Sequence, residues 1–338
     1  MDIKKLARPN IRSLRAYHAE VVPCKVKLDA NESPYGIKVL DTVMTNRYPD
    51  PSAKELRGLV AKDLKVKPEN VLHGNGSDEI ISNLIMTFGG PVLYPVPTFS
   101  MYGIISQAIG ESKVVIPLDK DFDLDLNRML KSIKKEGPKL IFLSSPNNPT
   151  GNSFSSEKIS GIIRQSKGLV IVDEAYQQFS DKDSFVPLLE KYRNLVVLRT
   201  LSKVGLAGLR VGFMIADKDI INEVNKVRLP FNLNSLSQKA ASDALKNKKL
   251  MRSSISAIIA ERKRLFREMA DMEGIGPYPS DANFILFRVN DADRIFRGLL
   301  RKGVLIRNMT GAVESCLRVT VGTPGENTVF LKALKKLL

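Results

Sequence analysis

The sequence predicts an α/β protein, a mostly parallel central sheet flanked by helices with a smaller α+β domain after it. Three observations carry this. Short apolar runs alternate with longer amphipathic stretches through the middle of the chain. Several of the runs are unbroken, as in Leu169-Val170-Ile171-Val172, which is how a strand covered on both faces reads, because it has no solvent side to alternate with. Beyond Pro230 the alternation gives way to a long helical stretch and then mixed strand and helix signals.

Taken in order, the candidate strands of the first region are 92–95, 113–117, 140–144, 169–173, 195–200 and 211–216. Between them, 78–88, 124–135 and 157–167 carry apolar residues at helical spacing, and Ser77 is placed to cap the first of these helices. The second region starts with one long helical stretch, 235–272. Gly274, Gly276, Pro277 and Pro279 then mark a turn ahead of a strand at 284–289. A helix near 291–302, strands at 304–307 and 317–321, and a last helix after Pro324 complete it. The expected division is an amino-terminal arm, 1–44, docking on the small domain, a large domain, 45–230, and a small carboxy-terminal domain, 231–338.

Composition narrows the function. With 338 residues, 43% apolar and 26% charged, the chain has an ordinary globular core in prospect, which excludes disordered, collagen-like and coiled-coil classes. Cys24 and Cys316 form no C-x-x-C pair, and His18 and His73 belong to no H-E-x-x-H, so neither a disulfide framework nor a metal site is expected. The first residues lack an apolar leader, and no run approaches the roughly 18 apolar residues of a membrane span; a cytoplasmic protein with no membrane partner is the expectation. The net charge of +16 invites a nucleic-acid reading, but the Lys and Arg are dispersed and no zinc-finger or RNA-binding signature accompanies them. A solvated, solubilising basic surface with no nucleic-acid partner is the expectation.

Four loops could carry chemistry, since ligands of open α/β sheets bind at the carboxyl ends of strands. Gly74-Asn75-Gly76-Ser77-Asp78-Glu79 feeds a helix start, where free N–H groups and the positive dipole end suit a phosphate; an ordinary helix cap fits it as well. Ser145-Pro146-Asn147-Asn148-Pro149-Thr150-Gly151 is rich in turn formers. Asp173-Glu174-Ala175-Tyr176 leaves a buried strand with an acid in hand, which calls for a cationic partner, a catalytic task or a helix to cap. Thr200-Leu201-Ser202-Lys203, followed by Gly205-Leu206-Ala207-Gly208-Leu209-Arg210, offers a phosphate grip or a nucleophilic amine.

Together the last three segments resemble the aminotransferases that use pyridoxal 5'-phosphate (PLP) on the aspartate aminotransferase fold, fold type I. They come in that family's order, with 25 residues from Asn148 to Asp173 and 30 from Asp173 to Lys203. Leu28-Asp29-Ala30-Asn31-Glu32-Ser33-Pro34, Arg47-Tyr48-Pro49-Asp50, Pro97-Thr98-Phe99 and the stretch from Cys316 to Gly322 are similar, more narrowly, to histidinol-phosphate aminotransferases. The resemblance covers nearly the whole chain and is shared in part with threonine-phosphate decarboxylases and some aromatic aminotransferases.

The resemblance implies a homodimer that transfers the amino group of L-histidinol phosphate to 2-oxoglutarate, a step of histidine biosynthesis giving imidazole acetol phosphate and L-glutamate. The alternatives are an aromatic aminotransferase or a threonine-phosphate decarboxylase, and, outside enzymes, a basic nucleic-acid-binding protein on the same scaffold. It assigns Lys203 to the covalent link with the cofactor aldehyde and to proton transfer, Asp173 to the pyridine nitrogen, and Asn148 and Tyr176 to the phenolic oxygen. It places Phe99 on the ring and Ser77, Asp78, Thr200, Ser202 and Arg210 around the phosphate. Tyr48 matches the tyrosine that reaches the neighbouring subunit's cofactor. Arg318, Arg307, Tyr17 and Asp29 match substrate-side positions, Arg318 as the grip on an anionic group. Lys203 and Arg210 are seven apart, one fewer than in many relatives, which implies a tighter turn around Val204 and Gly205.

Overall fold

A computed structural model of the protein describes residues 24–29, 31–35 and 48–338. Along the chain, strand β1 (Val26–Lys27) is followed by helix α1 (Lys54–Leu64), β2 (Val71–Asn75), α2 (Gly76–Phe88), β3 (Val92–Val96), α3 (Met101–Ile109) and β4 (Lys113–Pro117). Next come α4 (Leu126–Glu136), β5 (Leu140–Ser144), α5 (Ser156–Gln165), β6 (Leu169–Asp173), β7 (Leu195–Thr200), β8 (Val211–Ala216) and α6 (Lys218–Val227). The last third holds α7 (Ser235–Lys246), α8 (Lys248–Ala270), β9 (Ile275–Pro277), β10 (Phe284–Val289), α9 (Ala292–Arg301), β11 (Val304–Leu305), β12 (Arg307–Asn308), β13 (Cys316–Thr320) and α10 (Pro324–Lys335).

Seven strands form the central sheet in the order β2-β8-β7-β6-β5-β3-β4, parallel except for β8, which runs against both neighbours. Alternate residues of each strand point to opposite faces, so β5 sends Leu140 and Phe142 to one core and Ile141 and Leu143 to another. The first core is closed by Ile80 and Leu84 of α2, Tyr102 of α3 and Val224 of α6; the second by Met129 of α4 and Ile159 and Ile162 of α5. Both faces being covered, the central strands are almost entirely buried, which explains their unbroken apolar sequence.

The second core continues into an antiparallel sheet of order β12-β13-β10-β9, through Phe284 and Phe287 of β10 and Phe330 of α10. Helix α10 begins with a capping box between Thr323 and Glu326 and a Pro in its first turn. Strand β1 pairs in parallel with β11, and the segment after it stays on this sheet, with Leu28 N–H donating to the Leu305 carbonyl at 2.7 Å and Thr320 N–H to the Leu28 carbonyl at 2.9 Å. Among the described residues, no helix is long and apolar enough to cross a membrane.

Five local expectations change. The strand expected at 304–307 is two, β11 and β12, which break at Ile306 and join different sheets. Strand β2 lies outside every sequence-predicted strand, because His73, Gly74 and Asn75 interrupt its apolar pattern at the sheet edge. Ser77 is the second residue of α2 and does not cap it; Asn75 precedes the helix, with no side-chain cap, and Gly76 turns the chain at φ +80°. The stretch 235–272 is two helices, broken at Asn247, whose φ of −114° and ψ of 75° are not helical. Finally, Ile275–Pro277 is an edge strand rather than a plain turn, a place where a Pro costs no ladder bond.

Candidate active site

The ends of β5, β6 and β7 and the start of α2 meet around a cavity open to solvent. This is where an open α/β sheet holds ligands, because the loops leaving its carboxyl edge diverge there.

One end of the cavity is an anion cradle. Ser77 and Asp78 occupy the first turn of α2, with Arg210 across it: Arg210 Nη2 lies 3.2 Å from Asp78 Oδ2, and Nη1 donates to Ser202 Oγ at 3.5 Å. A Cβ on Gly76 would sit 2.6 Å from Arg210 Nη2, and one on Gly212 would sit 2.7 Å from the Ser77 nitrogen. The two glycines therefore let the guanidinium, the helix start and β8 approach one another. Thr200 Oγ1 accepts the Ser202 N–H at 3.1 Å and lies 2.9 Å from Ser202 Oγ, so the two hydroxyls form one side of the cradle. Between Lys203 and Arg210 the chain makes two short 3₁₀ turns, Ser202–Val204 and Ala207–Leu209, hinged at Gly205 with φ +100°.

The other end is dry. Asp173, the last residue of β6, is 3% exposed; its Oδ2 accepts from the Tyr102 hydroxyl at 2.8 Å and its Oδ1 from the Ala175 N–H at 3.1 Å. Burial pushes its carboxyl up to about 6, against the pull of those two bonds. Tyr102 is fully buried, stacks on Phe142 with ring centroids 4.8 Å apart, and meets the Phe99 ring edge-on at 5.6 Å. The residue just past β6, Glu174, does not line the cavity and is paired with Arg199 at 2.7 Å.

Lys203 reaches the cavity from the turn after β7, its Nζ 5.7 Å from the centre of the Tyr176 ring. Asn148 stands opposite, its Oδ1 accepting from Arg318 Nη1. Arg318, on β13, is buried, donates through Nη2 to the Asp29 carbonyl at 2.9 Å and lies over the Phe284 ring at 5.1 Å. Thus Lys203, Asp173, Tyr176, Asn148, Phe99, Ser77, Asp78, Thr200, Ser202 and Arg210 all line one cavity although they come from four loops, two strand ends and a helix start.

Of the substrate-side residues, Arg307 is half-buried on β12 directly opposite Arg318 in the ladder, and Asp29 pairs with Lys27 at 3.0 Å. Tyr48 does not line the cavity; it is 82% exposed and stacks on Phe231 with centroids 4.7 Å apart. Tyr17 lies outside the described residues.

Comparison with known proteins accounts for this constellation: the pattern of the family "Aminotransferase class I and II" matches residues 16–334. The chain belongs to that family. Histidinol-phosphate aminotransferase of Caldanaerobacter subterraneus is 39% identical over 99% of each chain. Histidinol-phosphate aminotransferase 2 of Nitrosococcus oceani is 44% identical over 97% of this chain and 96% of that one. The crystal structure of histidinol-phosphate aminotransferase from Sinorhizobium meliloti in complex with pyridoxal-5'-phosphate shares the fold, with a TM-score of 0.86 at 24% identity, covering 97% of this chain and 96% of that chain.

Two residues of this aminotransferase's site escaped sequence reasoning. Tyr102 stands three positions after Phe99 in no motif; its one signal is a phenol on the buried face of α3, which it shares with Ile105 and Ser106. Asn31 lies within the segment from Leu28 to Pro34 and donates to the Tyr176 hydroxyl at 3.1 Å, a bond across 145 residues that no local pattern announces.

Proposed function

We propose that this aminotransferase binds PLP in the cavity and transfers the amino group of L-histidinol phosphate to 2-oxoglutarate, in two half-reactions through the same site. The observation that carries the reading is the amine of Lys203 set between an anion cradle and a dry carboxyl. The residues fit the cofactor: a cradle kept open by Gly76 and Gly212 suits its phosphate, and a buried acid suits its ring nitrogen. When bound, PLP supplies an aldehyde that accepts the amino group and a ring that withdraws electrons from the substrate carbon.

The rest is done by this chain. Lys203 Nζ holds the aldehyde between turnovers and, once displaced by substrate, moves the proton to and from the substrate carbon. Asp173, kept dry at the end of β6, holds a proton on the ring nitrogen, its charge undiluted by water. Tyr176 and Asn148 hydrogen-bond the phenolic oxygen, and Phe99 stacks on the ring. The first turn of α2, Thr200, Ser202 and Arg210 hold the phosphate. Arg318 offers a guanidinium to the phosphate of one substrate and the carboxylate of the other, with Arg307 beside it on the neighbouring strand. The likeness to curated histidinol-phosphate aminotransferases across 99% of the chain supports this choice of substrates.

The same reading makes the protein a cytoplasmic homodimer with no nucleic-acid partner. The exposed, stacked rings of Tyr48 and Phe231 suit the face of a second copy, with Tyr48 reaching the partner's cofactor phosphate. One cuvette tests the function: the PLP-loaded protein shows a visible band that bleaches when L-histidinol phosphate is added without an oxo acid. Lys203→Ala abolishes both the band's covalent character and turnover. A band that is indifferent to histidinol phosphate but bleached by phenylalanine would sink the substrate.

A further inference from the structure

Asn31 is 1% exposed and sits at φ 55°, a left-handed conformation that Asn tolerates better than most residues. All of its polar groups are engaged. Its N–H donates to Thr320 Oγ1 at 2.9 Å, its carbonyl accepts from Asn283 Nδ2 at 2.9 Å, and its Oδ1 accepts from Thr320 Oγ1 at 3.1 Å. The remaining group, Nδ2, donates to the Tyr176 hydroxyl at 3.1 Å. A phenol that accepts one hydrogen bond keeps its own hydrogen for another acceptor and donates it more strongly, because linked hydrogen bonds polarise one another.

We infer that Asn31 is a positioning residue for Tyr176, committing the tyrosine hydroxyl to donate into the cavity. This rests on the functional reading above, in which Tyr176 meets the phenolic oxygen of the cofactor. The bond joins two parts of the fold, since Tyr176 follows β6 of the central sheet whereas Asn31 is clamped to β13. Thr320 and Arg318 are alternate residues of β13 and share a face, and both grip the segment that carries Asn31, Arg318 through the Asp29 carbonyl. The strand that presents Arg318 to substrate therefore also sets the donor direction of Tyr176. Charged groups around Tyr176 are Lys203 from the turn after β7, Asp173 from β6 and Arg318 from β13, and none of them supplies the bond Asn31 makes.

The test follows the visible band of the PLP-loaded protein against pH in wild type, Asn31→Asp, Tyr176→Phe and the double variant. A donor to the ionised phenolic oxygen lowers the band's titration midpoint, so losing that donor raises it. In Asn31→Asp the new carboxylate accepts the Tyr176 hydrogen and turns it away from the cavity. The expected midpoint rise is about 0.5–1 pH unit, from the worth of one such hydrogen bond. Tyr176→Phe should raise it in the same direction, and adding Asn31→Asp to Tyr176→Phe should change little more. A new negative charge acting by itself would shift the midpoint as much in the Tyr176→Phe background; that result, or an unchanged midpoint in Asn31→Asp, overturns the inference. Asn31→Gly, which accepts the positive φ without adding charge, is scored in the same way should Asn31→Asp fail to fold. Absence of the band in wild type would instead overturn the functional reading.

Discussion

At one end of the cavity the charged groups, Arg210 and Asp78, sit on a loop and a helix start and stand half in water beside the buried hydroxyls of Thr200 and Ser202, whereas at the other the charged group, Asp173, closes a strand and is buried. The Arg210 and Asp78 side chains are 48% and 42% exposed, while Asp173 is 3% exposed. An ion pair in the first setting is worth little, being screened and costly in side-chain entropy, so the cradle spreads its grip over several donors. In the second setting the surroundings are apolar and one charge dominates. On the function proposed above, anchoring of the cofactor is spread over several groups and control of its ring rests on one.

Asp173→Asn should break this contrast most severely, lowering kcat by about 100-fold or more while leaving cofactor affinity much less affected. The same variant tests the dryness itself. The Asp173 carboxyl ionises near 3.8 when unfolded and near 6 when folded, so between those values the folded chain holds the extra proton and unfolding releases it. Stability contributed by this group therefore falls as pH rises from about 4 to about 6, by roughly 3 kcal/mol, and stays lost above. Urea unfolding of the cofactor-free protein should show Asp173→Asn gaining on wild type across that window; a constant difference would mean the strand end is wet.

Tyr102→Phe is expected to have an intermediate effect. It removes one of the two hydrogen bonds to Asp173 and leaves the aromatic stack in place. Turnover should fall about 10-fold, in line with losing a hydrogen bond to a charged group. In the cofactor-free protein the carboxyl should rise further, moving the urea-stability window of Asp173 to higher pH; an unmoved window would show that the phenol only fills space.

The smallest change is expected at the wet end. Arg210→Lys keeps the charge but loses the planar fork, and PLP affinity, measured by equilibrium dialysis, should weaken by about 10-fold with kcat at saturating cofactor within about two-fold of wild type. A collapse of kcat instead would mean the cradle also sets the ring's position, and the two ends would no longer be separable.

Much of this site was legible because its chemistry is carried by short segments. The strands that end at Ser144, Asp173 and Thr200 coincide with the predicted ranges, since burial on both faces leaves an unbroken apolar run. The loops after them carry Asn148, Tyr176 and Lys203 in a spacing that a single chain can display. Strand β2 was not legible, because His73 and Gly74 disguise an edge strand, and neither was the break at Asn247, since α7 and α8 have helix-forming residues up to and beyond it. The reversal of β8 also left no mark, for a buried strand has the same composition in either direction.

By itself, then, the sequence determined the succession of strands and helices and the residues each loop would offer, because periodicity, turn chemistry and motif spacing act over a few neighbours. Only the tertiary structure decided that Tyr102 would hold Asp173 across 71 residues, Asn31 hold Tyr176 across 145, and Thr320 hold Asn31 across 289. Those pairings follow from the order in which the strands lie side by side and from the bonds that Leu28 and Asn31 make to Thr320 of β13, and the partners become neighbours only when the cores on both faces of the central sheet have closed.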